Sequence, residues 1–526
     1  MQKMNFLSIS KTLLVSSGLS ILMGACSEKS KTADSHQNAK PNVIYILADD
    51  LGYGDLGCYG QQLIETPNID KLAAEGMLFT QHYSGAPVCA PSRCMLMTGK
   101  HPGNAQIRGN DEWGSRGDVW NYLAQLKDST LEGQRPLKEG TETIAKMMKK
   151  AGYATGMVGK WGLGAPHTVS TPTKMGFDFF TGYNCQRQAH TFYPVHLWQN
   201  GQKLLLGNDT VAPTTKLRKG ADPYDENSYD KFTLQTYSPE VMFSELMGFI
   251  ERNSAEPFFA YWATPIPHAP LQAPQRWINY YVNKFGNEEP YLGNNGYFPA
   301  RYPHATYAAM ISYLDENVGK LVQRLKELEI YDNTLIIFTS DNGPTYNGGT
   351  DSPWFNSGGP FKSEYGWGKG FVHEGGFRVP MIACWPDKIK PGTQSDHISA
   401  FWDVMPTLAD IAGLPTPETD GISFLPTLTG KEQPEHPYLY WEYPEYGGQQ
   451  AVRMGKWKGI RKDIKKGNMV LELYNLENDL QEQYNVADEQ PEIINKMEDI
   501  MQKEHQVAEL DRFKMEALGD VPESKQ

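Results

Sequence analysis

Cysteine is scarce, with six in 526 residues. Once Cys26 near the N-terminus is set apart, Cys58, Cys89, Cys94, Cys185 and Cys384 remain, an odd number scattered over a long chain. They imply no disulfide framework, and at least one stands alone. Blocks of basic residues are also missing, and the formal net charge is -13. That balance argues against nucleic acid as a partner, and an anionic substrate would need a locally positive pocket. The apolar run near the N-terminus is too short and serine-rich for a good membrane span. There is no internal repeat. A chain this long exceeds one simple core, so a large domain with a smaller companion is expected.

The opening MQKMNFLSISKTLLVSSGLSILMGAC carries Lys3 and Lys11, an apolar stretch through Leu22, and Gly24 and Ala25 before Cys26. This is the layout of a secretory signal. Because it ends on cysteine and is followed by SEKSKTADSHQNAK, it resembles a bacterial lipoprotein signal, with Cys26 lipidated after cleavage. An ordinary cleaved signal is the other reading, and both take the protein out of the cytoplasm. The expected layout is a signal over 1–26, a polar linker over 27–40, a main domain over 41–432 and a C-terminal subdomain over 433–526. The expected location is the periplasm or cell surface of a Gram-negative bacterium, touching the membrane only through the lipid anchor.

From residue 41, short apolar runs alternate with helical patterns. NVIYILADD (42–50), ATGMVGKWG (154–162), PFFAYWATPIPHAP (257–270), NTLIIFTSDNG (333–343) and RVPMIACWP (378–386) each hold a continuous apolar centre. Such runs read as strands buried on both faces of a largely parallel sheet. Between them, 141–152, 239–253 and 305–328 space apolar residues as helices do. The alternation predicts an α/β fold, a large mostly parallel sheet flanked by helices. HLWQNGQKLLL turns at Asn200-Gly201, a hairpin signal, and 276–303 reads as a long irregular loop rich in Tyr, Gly and Pro. After a composition shift near residue 432, two strand patterns and one helix predict a small α+β unit.

Polar residues collect where these strands end. Asp49 and Asp50 follow the first run, Lys160 the second, His268 the third, and Asp341 and Asn342 the fourth. In open α/β sheets ligands sit beyond the carboxyl ends of strands, so these groups are expected to share one site. Asp49, Asp50, Asp341 and Asn342 offer only oxygen, which suits Ca²⁺ or Mg²⁺ rather than zinc.

The stretch PVCAPSRCMLMTGK places Pro91 and Ser92 in the first turn of a predicted helix, with Cys89 at or just before its N-terminus. Arg93, one turn on, can point back at an anion held there. Cys89 is then a buried structural cysteine, a thiolate nucleophile, or a modified residue. Cys89-Ala90-Pro91-Ser92-Arg93 matches the Cys-x-Pro-x-Arg signature of the type I sulfatases, whose cysteine is converted to formylglycine (3-oxoalanine). The chain also resembles that family at PNVIYILADDLGYGDLGCYG, GKWGLG, SDNGP, GKGFVHEGGFRVP and LELYNLENDLQEQYNVA, in the family's order.

The resemblance implies an alkaline-phosphatase-like fold and hydrolysis of sulfate esters. Water adds to the aldehyde, one oxygen of the resulting diol attacks sulfur, and the other expels sulfate. It further implies one Ca²⁺ held by Asp49, Asp50, Asp341, Asn342 and modified Cys89, with Arg93 steadying the nucleophile and ligands. Lys160 contacts sulfate, and His268 and Lys369 meet the ester and help protonate the leaving oxygen. Arg108 and His190 are added as expected substrate contacts. The implied partners are a sulfated carbohydrate, first among them galactose or N-acetylgalactosamine sulfate of host glycans, and a maturing enzyme acting on Cys89. One position departs from the family: Gly162 stands where GKWHLG has histidine, so either another histidine, His167 or the better candidate His190, reaches the site, or that function is missing. The competing readings are a phosphomonoesterase or phosphodiesterase on the same sheet, and a surface glycan-binding lipoprotein without catalysis.

Overall fold

Strand β1 (Asn42–Asp49) is buried at every position, and its side chains alternate between two separate cores. Val43, Tyr45 and Leu47 join one cluster, and Ile44, Ile46 and Ala48 join the other. Burying both faces is what a continuous apolar run demands, and each large side chain so placed contributes roughly 1.5–3 kcal/mol. The structure, a computed structural model, describes residues 40–522. The expected signal, the lipidation site Cys26 and most of the linker lie outside the described residues.

The further strands of the large sheet are β2 (Met77–Tyr83), β3 (Ala154–Lys160), β4 (Phe179–Tyr183), β5 (His196–Gln199), β6 (Gln202–Leu205), β7 (Phe258–Pro267), β8 (Thr334–Ser340), β9 (Arg378–Cys384), β10 (Thr393–Ser395) and β11 (Ser399–Ala400). Their order is β10-β2-β9-β8-β1-β7-β3-β4-β5-β6, with β11 also pairing with β2. The centre, β8-β1-β7-β3-β4, is parallel throughout. Strand β9 was expected to belong to the parallel set, but it runs antiparallel between β8 and β2. Its apolar run reported burial on two faces, which does not encode direction. Strands β5 and β6 form the hairpin expected at Asn200-Gly201, where φ is 47° and 87°. Both residues lie in the left-handed region that a tight hairpin turn requires.

One core packs helices Cys89–Thr98, Ile144–Lys150 and Val404–Ala412 on the sheet; the other packs Pro67–Glu75, Ser238–Asn253 and Pro303–Glu327. Part of the segment expected as loop over 276–303 is helix Gln275–Phe285, whose Tyr281 is fully buried. Strands β12 (Leu439–Tyr443), β13 (Gln449–Met454), β14 (Trp457–Arg461) and β15 (Leu471–Asn475) make a second, antiparallel sheet, and helix Pro491–Glu504 buries Met497 and Met501 on it. Both sheets belong to one compact unit. Between them lie Tyr83, Phe377, Trp402 and Trp441, and a buried ion cluster in which Lys458 meets Glu374 at 2.8 Å and Glu482 at 2.9 Å.

Candidate active site

Four parallel strand ends converge as expected. Asp49 closes β1, and the pairing of β1 with β7 shifts register just there. Asp50 turns into the left-handed region with φ 64°. Neighbouring side chains on a strand point to opposite faces, and this turn is what brings both carboxylates to one edge. Strand β8 runs beside β1, and the Asp341 N–H donates to the Ala48 carbonyl at 3.0 Å. Lys160 ends β3 and His268 follows β7. Cys89 opens its helix, with Val88 before it in extended conformation. The Lys369 loop is tied to this segment by the Gly370 N–H, which donates to the Pro87 carbonyl at 2.8 Å. From the second sheet, Gln449 donates to the Gly370 carbonyl and accepts from the Val372 N–H. The small sheet thereby holds the loop that carries Lys369.

Within this frame Cys89 Sγ lies 3.5 Å from Asp49 Oδ1 and 3.5 Å from Lys369 Nζ. Lys160 Nζ donates to Asp49 Oδ2 at 2.6 Å, and Lys369 Nζ to Asp50 Oδ1 at 2.5 Å. Arg93 spans the floor: Nε and Nη2 donate to Asp341 Oδ2 at 3.0 and 2.7 Å, and Nη1 donates to the Lys160 carbonyl. Asp341 Oδ1 accepts the Asp50 N–H. His268 Nδ1 faces its neighbour's carbonyl, Ala269 O, at 2.6 Å. Donation there leaves Nε2 directed inward, 3.6 Å from Asp50 Oδ2.

Burial pushes the Cys89 thiol up to about 12, against the pull of Lys160 and Lys369. An unmodified Cys89 is therefore a poor thiolate at neutral pH. Burial alone would raise Asp49 too, but Lys160, His268 and Arg93 outweigh it and hold the carboxyl well below its ordinary range. Burial lowers His268 to about 4 despite Asp50 beside it, and lowers His190 well below its ordinary value, helped by His268.

The oxygens fit a hard cation. Asp50 Oδ2 and Asn342 Oδ1 are buried with no hydrogen-bond partner. Ligand atoms of Asp49, Asp50, Cys89 and His268 all lie within 4.8 Å of one another. His268 thus stands closer to the ligand group than its expected role as acid alone suggested. The cluster has one histidine, not the histidine-rich pair of metal sites a phosphatase would show.

Arg108 is not brought to this cluster, which corrects its expected role in substrate contact. Its guanidinium ion-pairs with Glu442 and also donates to the Gly103, Ala105 and Gln506 carbonyls. A buried arginine with so many protein acceptors has little left for a ligand. His167 bonds Ser129 and packs on Trp198, whereas His190 stacks on His268 with centroids 5.5 Å apart. Gly162, at φ 77°, leaves space that Gln186 fills: a Cβ there would meet Gln186 Cγ at 3.0 Å. Gln186 Nε2 donates to Asn110 Oδ1, which also accepts the Ala90 N–H next to Cys89. Tyr297 was missed. Its ring packs edge-on against both His190 and His268, from a backbone held at φ 58°. Bulky side chains rarely adopt that conformation, and it tends to persist at functional sites. Only the turn-forming residues of NNGYFP around it gave a hint.

Residues 41–414 match the family described as Sulfatase, and residues 363–508 match N-sulphoglucosamine sulphohydrolase, C-terminal. The chain is 32% identical over 430 residues to N-acetylgalactosamine-6-sulfatase of Canis lupus familiaris, covering 80% of this chain and 71% of the relative. It is 28% identical to N-acetylgalactosamine-6-O-sulfatase of Bacteroides thetaiotaomicron, across 94% of this chain and 99% of the relative. Among solved structures, Ps i-CgsB, also solved in complex with k-i-k-neocarrahexaose, superposes with a TM-score of 0.68 at 29% identity, covering 89% of this chain and 94% of its own. The chain belongs to the sulfatase family and is a sulfuric ester hydrolase.

Proposed function

We propose that this sulfatase removes sulfate from galactose or N-acetylgalactosamine units of host glycans, glycosaminoglycan or mucin, outside the cytoplasm. The observation that carries the sugar is the agreement between a mammalian and a Bacteroides relative, both named for N-acetylgalactosamine-6-sulfate chemistry. Cys89, oxidised to formylglycine by a separate maturing enzyme, supplies a hydrated aldehyde as nucleophile. Asp49, Asp50, Asp341, Asn342 and modified Cys89 would hold Ca²⁺, which would supply positive charge beside the nucleophile and the sulfate.

The chain's own residues do the rest. Lys160, Lys369 and Arg93 surround the nucleophile with fixed cations, so a sulfate ester trades water for preorganised charge. Arg93 keeps Asp341 and the Lys160 carbonyl in place through its planar fork. His268, its Nδ1 held by Ala269, presents Nε2 to the leaving oxygen. A bound anionic ester raises its pKa from the low value that burial imposes, and the proton then passes to the departing alkoxide. The lipid anchor at Cys26 would keep this activity at a membrane surface.

A panel of singly sulfated galactose, N-acetylgalactosamine and glucosamine tests the reading. Hydrolysis of the first two ahead of the third is expected, with none by Cys89→Ala. Activity confined to steroid or choline sulfates would end the carbohydrate assignment.

A further inference from the structure

Next to the catalytic cluster lies a cleft of about 420 Å³ whose lining includes Trp120, Gln125, Arg187, His190, Thr214 and Tyr297. His190 and Tyr297 border the cluster as well, through their ring contacts with His268. The two spaces therefore share a wall, and the cleft is of a size that takes a sugar unit.

Its cation is unusual. The Arg187 guanidinium lies over the Trp120 ring, its Cζ 3.8 Å from the centroid, and Nη2 donates to the Trp120 carbonyl at 3.3 Å. Nη1 is buried without a partner, and among the described residues no carboxylate forms an ion pair with Arg187. Glu112, whose charge reaches it, is hydrogen-bonded by Gln134 instead. On the same cleft wall Gln125 is buried, with its Oε1 also unpartnered. Arg108, Arg116 and Arg461 each find several protein acceptors, so an arginine left open here stands apart. An unmet guanidinium N–H out of water is unfavourable unless a ligand meets it. Trp120 is 64% exposed, so one ring face carries the cation while the rest of the indole stays open to a sugar face.

We propose that this cleft is a second anion subsite, in which Arg187 binds a carboxylate or sulfate on the sugar adjoining the one being desulfated, with Trp120 as the platform for that sugar. The inference rests on the sulfatase reading and deepens it: the substrate is an oligosaccharide with a second negative charge, and Arg187 determines specificity. No bond is made or broken there.

Three disaccharides with the same sulfated reacting sugar test it, their neighbouring sugar being neutral, a uronate or sulfated. Wild-type protein is expected to prefer at least one anionic neighbour over the neutral one by about 10- to 100-fold in kcat/KM, the worth of a hydrogen-bonded ion pair. That preference should shrink as salt rises. Arg187→Ala and the better size match Arg187→Gln should bring the ratio close to one, while Arg187→Lys retains part of it. Which anion is preferred tells a uronate-bearing chain from a multiply sulfated one. A wild type that does not discriminate, or an Arg187→Gln that folds and still discriminates, would overturn the subsite. Hydrolysis of none of the three by matured enzyme would instead overturn the carbohydrate-sulfatase reading beneath it.

Discussion

The imidazoles of His190 and His268 lie nearly parallel, their planes 14° apart and centroids 5.5 Å apart, yet only His268 directs a nitrogen at Asp50. A sugar alkoxide needs a proton as the S–O bond breaks, whereas a nitrophenolate leaves almost unaided. His268→Ala should therefore lose roughly 10² to 10⁴ on a sugar sulfate and far less on nitrophenyl sulfate. Arg93→Ala should depress both alike, because nucleophile and sulfate binding serve every leaving group. Equal losses on both substrates in His268→Ala would remove its role as acid.

The fit of the oxygen cluster to Ca²⁺ is checked without turnover. After chelation, adding Ca²⁺ should raise the thermal midpoint, since a ligand that binds the folded state alone stabilises it. Zn²⁺ should do less, and Asp50→Asn should blunt the response. A midpoint indifferent to Ca²⁺ would speak against these ligands.

Asp55 gives a prediction about pH. Its Oδ2 accepts from the Gly52 N–H and the Tyr307 hydroxyl at 2.7 Å each, and burial raises its pKa to about 6. The unfolded value is about 3.9, so between these two values the folded chain holds the extra proton and stability falls as pH rises. Asp55→Asn keeps the acceptor and removes the ionisation. Its stability relative to wild type should climb from about pH 4 to pH 6 and then level off, gaining on the order of 2–3 kcal/mol. A flat difference in denaturant unfolding across that window would refute the raised value.

Lys458 ion-pairs with both Glu374 and Glu482 where all three side chains are sealed from water. Lys458→Met fills most of the space but takes from Glu482 its ion-pair partner, while Glu374 keeps Arg378 at 2.9 Å, and should cost about 3–5 kcal/mol in denaturant unfolding. Adding Glu482→Gln should recover part of that loss, because the two sites share one charge.

What could be read from the sequence followed burial. Strands β1, β3, β7 and β8 are covered on both faces, so their apolar runs stood out, and the acidic and basic residues ending them pointed to one edge. Strand β2, MLFTQHY, mixes half-buried Thr80 and Gln81 into its run, and β10 and β11 are three and two residues long, too short to leave a pattern. Direction was invisible at β9 for the reason already given. At the site, Cys89, Arg93 and the aspartates were legible because motif and strand end coincide. Arg108 misled because its partner, Glu442, is 334 residues away, and a charge in a sequence does not show which way it turns. The filling of the Gly162 space by Gln186, and the placing of Tyr297 over two histidines, depend on loops meeting in space and left no periodic trace.

The central claim is that Cys89 acts as formylglycine rather than as a buried thiol raised to about 12. Mass spectrometry of the Cys89 peptide, from protein purified out of its native host and active on a sulfate ester, tests this most directly. The account predicts the aldehyde mass, with sulfur replaced by oxygen and two hydrogens lost, and its shift on treatment with a hydrazine. An active preparation carrying only unmodified cysteine at Cys89 would contradict it.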